Sequence, residues 1–459
     1  MLRVLKLFFV VATGMQATML SPFSLDFSAS GGASALQGTV VSTGLNFAYG
    51  IARLPDGSIV FGQSTPTSSA GLYYGNGPAT TGSVWIQAKL PGGDFAAPQK
   101  IVDGLAGVVT DVRTFGDGTI LVDSGAGKLN TRKLSYFTST GQTKGTMDFN
   151  FPGSWEHSTG MSLVQQNVDG TANVFFNIGS RGDNLKTTDT VTLSGLGLVS
   201  ATLNPDSVYR ITVNTVGASV QVVGAPTQVA TGFRNAYGLD LDQSGNLLVG
   251  DNGIDGAHVH DELGADALFR ISAASIGNLV FDGGFPDSYT DFATGQYVNG
   301  DPNATAPLVA FRPALNSQGN PQSSEGIAGL AFVRPGHLGT GIAGGVLATF
   351  HGVFDAGGSD NYDNSLALYD LATGRLTPIL DAGASGVGHI DSVLIEGNSI
   401  FLSDFSRNGQ VNSLQGLGQG AIYEFDYPVS TPEPRTWFGV AAALGLLMAR
   451  RLKTASAHR

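Results

Sequence analysis

No cysteine occurs in the 459 residues, which rules out disulfide staples and thiolate metal sites alike. Charge is also scarce. Only 13% of residues are Asp, Glu, Lys or Arg, and 24 basic side chains face 36 acidic ones, a formal net charge of −12. That balance excludes a broad basic face, and with it the usual route to DNA, RNA or an anionic membrane surface. Glycine is what the chain has in excess, 65 residues, and together with the low charge this suits a turn-rich all-β protein better than a helical one. Length alone suggests two or three domains, yet closed β architectures of this size fold as one unit.

The apolar runs that point to export lie at the two ends. Arg3 and Lys6 precede Leu7-Phe8-Phe9-Val10-Val11-Ala12, with small residues following at Ala29 and at Ala33-Ser34-Ala35. This is a secretory signal pattern and predicts a leader over residues 1–35 with its cut position left open. A buried N-terminal strand is the other reading of the run. At the far end, Thr431-Pro432-Glu433-Pro434 is followed by an apolar stretch from Trp437 to Met448 and then by Arg450, Arg451 and Lys453. This order of Pro-Glu-Pro, short apolar helix and basic stop resembles the PEP-CTERM sorting signal of Gram-negative bacteria. The resemblance implies recognition by an exosortase-type sorting enzyme and delivery to the cell surface or extracellular matrix. The apolar segment is short for a membrane span, and its basic flank would hold the end on the cytoplasmic side. An ordinary single-helix anchor would also put the body outside the cytoplasm, with the membrane touched only through that helix before processing. The body is then expected over 36–428 and the sorting segment over 429–459, helical from Trp437 to Met448.

Between the ends two kinds of strand alternate. The first kind is a pair around a glycine turn: Ile51 to Phe61 through Asp56-Gly57, Val112 to Val122 through Asp117-Gly118, and Met161 to Asn177 through Asp169-Gly170. Further copies are Gly238 to Val249 through Ser244-Gly245, Gly329 to Thr349 through a long glycine-rich turn, and Val393 to Leu402 through Gly397-Asn398. The second kind places an aromatic after an aliphatic residue: Ser83-Val84-Trp85-Ile86, Ser207-Val208-Tyr209, Ala267-Leu268-Phe269, Ala367-Leu368-Tyr369 and Ala421-Ile422-Tyr423. A poorer copy is Lys133-Leu134-Ser135-Tyr136-Phe137. The two kinds alternate six times at a spacing of roughly 70 residues, the pattern of an all-β, six-bladed β-propeller, with seven blades the competing count. Residues Pro286 to Pro321 carry no strong strand signal and read as a long insertion on one face.

In a propeller, sites form on the loops around the central channel. Three such loops carry chemistry: Trp155-Glu156-His157-Ser158-Thr159-Gly160 entering the third unit with Ile178 to Asn184 leaving it, Phe233-Arg234-Asn235 entering the fourth, and the acidic stretch Asp251 to Glu262 leaving the fourth. Glu-His-x-x-Gly, a strand pair, Ile-Gly-x-x-Gly-x-Asn and then Arg-Asn-x-x-Gly-Leu resemble the soluble quinoprotein glucose and sorbosone dehydrogenases. These are six-bladed propellers that oxidise aldose sugars with pyrroloquinoline quinone (PQQ) and calcium. The resemblance spans most of the body and is specific in the third and fourth units. It implies His157 as the base that takes a sugar hydroxyl proton, Glu156 as its acidic support and Arg234, with Asn235, at the quinone oxygens. It also implies calcium at the loop beginning Gly253-Ile254, with Asp251, Asp255, Asp261 and Glu262 as further oxygen donors.

The residues carry such chemistry on their own terms. A histidine beside a carboxylate can act as a general base near neutral pH, a fixed arginine offsets negative charge on a quinone oxygen, and calcium takes carboxylate and carbonyl oxygens. Each has a plainer reading: a capping histidine, an arginine holding a turn, a solvated acidic loop. Three positions depart from the family. Asp103-Gly104-Leu105-Ala106-Gly107 lacks its glutamine, Phe350-His351-Gly352 lacks its lysine, and Gly388-His389-Ile390-Asp391 lacks its arginine pair. His351 and His389 therefore stand where fixed cations would hold the tricarboxylate cofactor. Two functions follow: a surface-sorted, PQQ-dependent sugar dehydrogenase, or a non-catalytic propeller that has lost the PQQ clamp and binds a sugar or extracellular polysaccharide.

Overall fold

The turns fix the strand pairs. Asp56 Oδ1 accepts the Ser58 N–H at 2.9 Å and Asp117 Oδ1 the Thr119 N–H at 2.9 Å, while Gly57 and Gly118 take φ of 88° and 81°. Glycine adopts that left-handed backbone without steric cost, so each chain reverses tightly and leaves its flanking residues in register. Asp169 and Asp242 repeat the device, accepting from Thr171 N–H at 3.0 Å and Ser244 N–H at 2.8 Å. The computed structural model describes residues 20–66, 80–126, 131–254, 263–312, 326–338, 341–352, 366–380, 387–411 and 413–428.

Six inner hairpins result. Ala48–Arg53 pairs with Ile59–Pro66, Val108–Thr114 with Ile120–Ala126, and Ser162–Gln166 with Ala172–Ile178. Ala236–Leu241 pairs with Leu247–Asp251, Ile327–Phe332 with Gly345–Phe350, and Ile390–Glu396 with Ser399–Asp404. The aromatic-bearing strands are the third of each sheet: Thr80–Gln87, Thr131–Phe137, Ser207–Asn214, Asp266–Ile271, Leu366–Asp370 and Gly420–Asp426. The first strands pack side by side in chain order, and the last, Ile390–Glu396, meets the first, Ala48–Arg53. This is a closed six-bladed β-propeller.

The first and last described segments complete blade six. Leu36–Leu45 pairs with Gly420–Asp426, and Leu20–Leu25 adds the outer strand. Phe23, Leu25 and Phe27 are buried there, the Phe23 ring 4.9 Å from that of Tyr423. Part of the stretch expected as leader is thus a blade strand. Residues 1–19, and 429–459 with the expected helix from Trp437 to Met448, lie outside the described residues.

The core is divided among the interfaces between blades. Val60 and Val84 meet Val112 and Val122 between blades one and two; Tyr136 and Leu134 meet Phe176 and Tyr209 between two and three. Phe175 meets Val249 and Phe269, Leu248 and Phe311 meet Val346 and Tyr369, Leu347 and Leu368 meet Ile390 and Tyr423, and Ile422 and Phe401 meet Ile51 and Phe61. Every blade buries both faces, which is why the inner strands read as nearly continuous apolar runs.

Two features differ from the sequence expectation. A hairpin of Val191–Gly195 and Leu198–Leu203, inserted between the second and third strands of blade three, pairs onto Thr143–Asn150 of blade two and widens that sheet to six strands. The stretch from Pro286 is also not strand-free. It holds the hairpin Ser288–Thr290 with Tyr297–Asn299 and the fourth strand of blade four, Val309–Phe311. Runs of three residues are too short to show alternation in a sequence.

Candidate functional site

The loops that enter the inner strands and those that leave the second strands share one face of the ring, and the exit loop of blade three laces two of them together. Trp155 is fully buried and donates its indole N–H to the Gly179 carbonyl at 3.0 Å. Glu156 N–H donates to Arg181 O at 3.0 Å, His157 N–H to Ser180 O at 3.2 Å, and Ser180 N–H to Arg234 O at 2.7 Å. Gly179 makes this possible: a Cβ there would lie 2.6 Å from His157 Cβ and 3.3 Å from the Arg234 carbonyl.

His157 and Arg234, far apart in sequence, converge on one carboxylate. Arg234 Nη2 donates to Asp183 Oδ1 at 2.6 Å and its Nε–H to the Asp183 carbonyl at 3.2 Å, while His157 Nε2 lies 3.5 Å from the same Oδ1. The histidine tautomer follows from its other side. Ser180 Oγ donates to the Gly182 carbonyl at 2.7 Å, so it accepts from His157 Nδ1 at 2.9 Å. Nδ1 then carries a hydrogen, and Nε2 faces Asp183. The His157 and Arg234 side chains are 10% and 6% exposed, and Asp183 is 41% exposed. Serine, histidine and aspartate together have the composition of a nucleophile triad, but Ser180 is fully buried and positions the ring. Asp183 lies in a loop whose sequence marks no role for it. Its partners come from two other loops, which no local pattern reveals.

The acidic loop is used differently. Asp251 Oδ2 and Oδ1 accept the Arg234 and Asn235 N–H groups at 3.1 Å and 2.8 Å, and burial pushes its carboxyl up to about 7. Blade six repeats the arrangement: Asp404 accepts the Gly388 and His389 N–H groups, both at 3.0 Å. Asp251 therefore anchors the Arg234-Asn235 turn. The Ile254 carbonyl already accepts the Leu263 and Gly264 N–H groups at 2.9 Å and 3.1 Å, and Gly253 N–H donates to Asp266 at 2.6 Å. Asp255, Asp261 and Glu262 lie outside the described residues. Among the described residues no three His, Cys, Asp or Glu side chains group as a metal site.

The two histidines at the cofactor-clamp positions stack on each other. Their rings lie 4.0 Å apart and nearly parallel, 4% and 0% exposed for His351 and His389. His351 Nδ1 meets Asp391 Oδ1 at 2.7 Å, while His389 Nδ1 and Nε2 meet the carbonyls of His351 and Gly409 at 2.6 Å and 3.0 Å. Burial pushes the Asp391 carboxyl up to about 8 and the His389 imidazole down to about 4. Beside them Phe47, Tyr49, Met161, Tyr237, Phe405 and Val411 form a buried cluster over the channel, with the Phe405 ring 6.2 Å from His351. PQQ carries three carboxylates and needs room and fixed positive charge. Here the two histidine positions are buried in a packed core, and Arg234 is already paired with Asp183. These residues do not fit the cofactor.

No known family profile matches the chain, and no curated protein matches it. Solved structures do. The holo form of a pyranose dehydrogenase PQQ domain from Coprinopsis cinerea aligns with a TM-score of 0.51 at 12% identity over 89% of this chain and 97% of that one. The PQQ-bound aldose sugar dehydrogenase from Streptomyces coelicolor aligns with a TM-score of 0.49 at 13% identity over 84% of this chain and 96% of that one. At such identity, what the chain shares with the pyranose dehydrogenase domain is the propeller fold.

Proposed function

We propose that this chain is an exported, surface-sorted propeller that binds a neutral saccharide at the channel mouth through His157, Asp183 and Arg234, without PQQ-dependent oxidation. One observation carries the reading: His351 and His389, where a quinone clamp would need fixed cations, are stacked and buried under Phe405. The remaining polar group suits hydroxyls. Asp183, half-exposed beside His157, offers acceptor oxygens to a hydroxyl, and the near-neutral sum of Arg234 and Asp183 does not select an ionised ligand. Export and sorting rest on the two sequence ends; a leader cut before Leu20 is the one that would keep the strand from Leu20 in blade six. The test is to incubate the full chain with PQQ and calcium and follow dye reduction against an aldose panel. No sugar-dependent reduction is expected. The same preparation should bind saccharide and lose about tenfold in affinity on Asp183→Ala, roughly one charge-assisted hydrogen bond. Sugar-dependent dye reduction would overturn the reading in favour of a dehydrogenase.

A further inference from the structure

The hairpin that blade two borrows from blade three ends the widened sheet in a bare edge. Leu198–Leu203 pairs with Val191–Gly195 on one side and, among the described residues, with no strand on the other. No described loop bonds to its outward N–H and C=O groups. Val199 is 92% exposed, and Ser200 and Thr202 are exposed beside it.

Such a row of unpaired groups is a template for another strand, and folds blunt it with charge, proline or a very short edge. The other five blades do so. Blade one carries Lys100 and Asp103 in Gln99–Ala106, blade five Arg375 and Pro378 in Arg375–Leu380, and blade six Pro22 in Leu20–Leu25. Blade three ends on two residues, Phe281–Asp282, and blade four on three, Val309–Phe311. Leu198–Leu203 has six residues, no charge and no proline.

Charge decides what covers it. No residue from Thr190 to Asn204 is charged. The acids that flank this strip are spoken for: Asp189 is paired with Arg181, and Asp206 is buried. A partner selected by charge finds nothing to read here. Two chains that each carry −12 repel one another over most of their surface and least along such a strip. An antiparallel edge is also its own complement, since a twofold axis sets the strand against itself with the same contacts on both sides.

We propose that Leu198–Leu203 is a dimer edge, pairing antiparallel with the same strand of a second copy and joining two sheets into one. Pairing along the whole strand sets Val199 opposite Thr202 of the other copy, with Ser200 and Ala201 beside the axis. Six residues bury less than the roughly 1,200–2,000 Å² of a stable interface, so the dimer forms only at high micromolar concentration.

Sedimentation velocity of the full chain from low to high micromolar concentration tests this. A dimer should appear at the upper end and gain from added salt, which screens the repulsion between copies. Val199→Lys with Thr202→Lys sets lysine against lysine and should weaken the dimer at least fivefold. Val199→Lys with Thr202→Asp sets opposite charges face to face and should restore it. Val168→Lys, at an exposed turn elsewhere, should change nothing. Should the paired variants misfold by circular dichroism, hydrogen exchange of the unaltered chain decides: the amides of 198–203 should be protected at high concentration and open at low. A chain that stays monomeric throughout overturns the proposal and leaves the edge to a strand of some other protein. A dimer that survives the lysine pair overturns it too, since the association then lies on another surface.

Discussion

Arg132 shows how single residues hold the site in place. Its guanidinium is 1% exposed and meets Asp123 through Nε at 2.9 Å and Nη2 at 2.5 Å, while Nη1 donates to the Asn177 carbonyl. It also packs against Gly160, next to the loop that carries His157. Breaking such a pair leaves a buried charge without compensation. Arg132→Met should therefore cost about 3–5 kcal/mol by denaturant unfolding, and adding Asp123→Leu should recover most of the loss. A double variant no more stable than the single one would show that the pair is not coupled. Buried acids also set the pH response. The carboxyls of Asp251 and Asp404 are raised to about 7 and Asp391 to about 8, all by burial first. A raised carboxyl binds its proton more tightly in the folded state, so its stability contribution is lost as pH rises through 7 to 8. His389, lowered to about 4, acts the other way, and its contribution is complete above about 6.5. Between pH 6.5 and 8.5 these carboxyls pull stability downward. Tm should fall over that interval, and less steeply in Asp391→Asn; a flat or rising Tm counts against it.

At the scale of elements, the first- and second-kind strand patterns were legible in all six units, even in the poor copy Lys133 to Phe137, because turn and alternation are local signals. What escaped them depends on contacts between units. The hairpin Val191–Gly195 with Leu198–Leu203 belongs by sequence to blade three and by pairing to blade two, with Phe149 opposite Leu193. Val191, Leu193 and Leu203 are buried against Met147 and Phe149. Each contributes about 1.5–3 kcal/mol of apolar burial. Replacing 191–203 with a short Gly-Ser link should leave the far-UV spectrum of a β protein, lower the Tm and raise binding of a hydrophobic dye; an unchanged Tm would show the hairpin to be an ornament. The site was legible in the same uneven way. His157 and Arg234 stood out through their flanking glycines, whereas Asp183 and the stacking of His351 on His389 arise from separate loops meeting in space.

The closed ring makes one demand on the whole molecule, that its last blade be sealed. Inner strands Ile390–Glu396 and Ala48–Arg53 already touch, but blade six remains unfinished without the N-terminal residues. Leu20–Leu25 covers Leu36–Leu45, Phe23 lies 5.4 Å from Phe425, and Phe27 lies 5.9 Å from Tyr427. The connecting turn is tied at both sides: Asp26 N–H donates to Ile379 O of blade five at 3.0 Å and Ala33 N–H to Tyr427 Oη at 2.6 Å. A leader cut at Ala29 or after Ala35 would remove the strand and expose Tyr423, Phe425 and Tyr427. With Phe23, Leu25 and Phe27 worth about 1.5–3 kcal/mol each, that loss approaches the entire net stability of an ordinary domain. If the chain is exported as proposed, its mature form should begin upstream of Leu20, which N-terminal sequencing reads directly. A chain started at Leu36 should melt well below one started before Leu20. If a chain started at Leu36 melts no lower, the outer strand of blade six is dispensable and this account of ring closure fails.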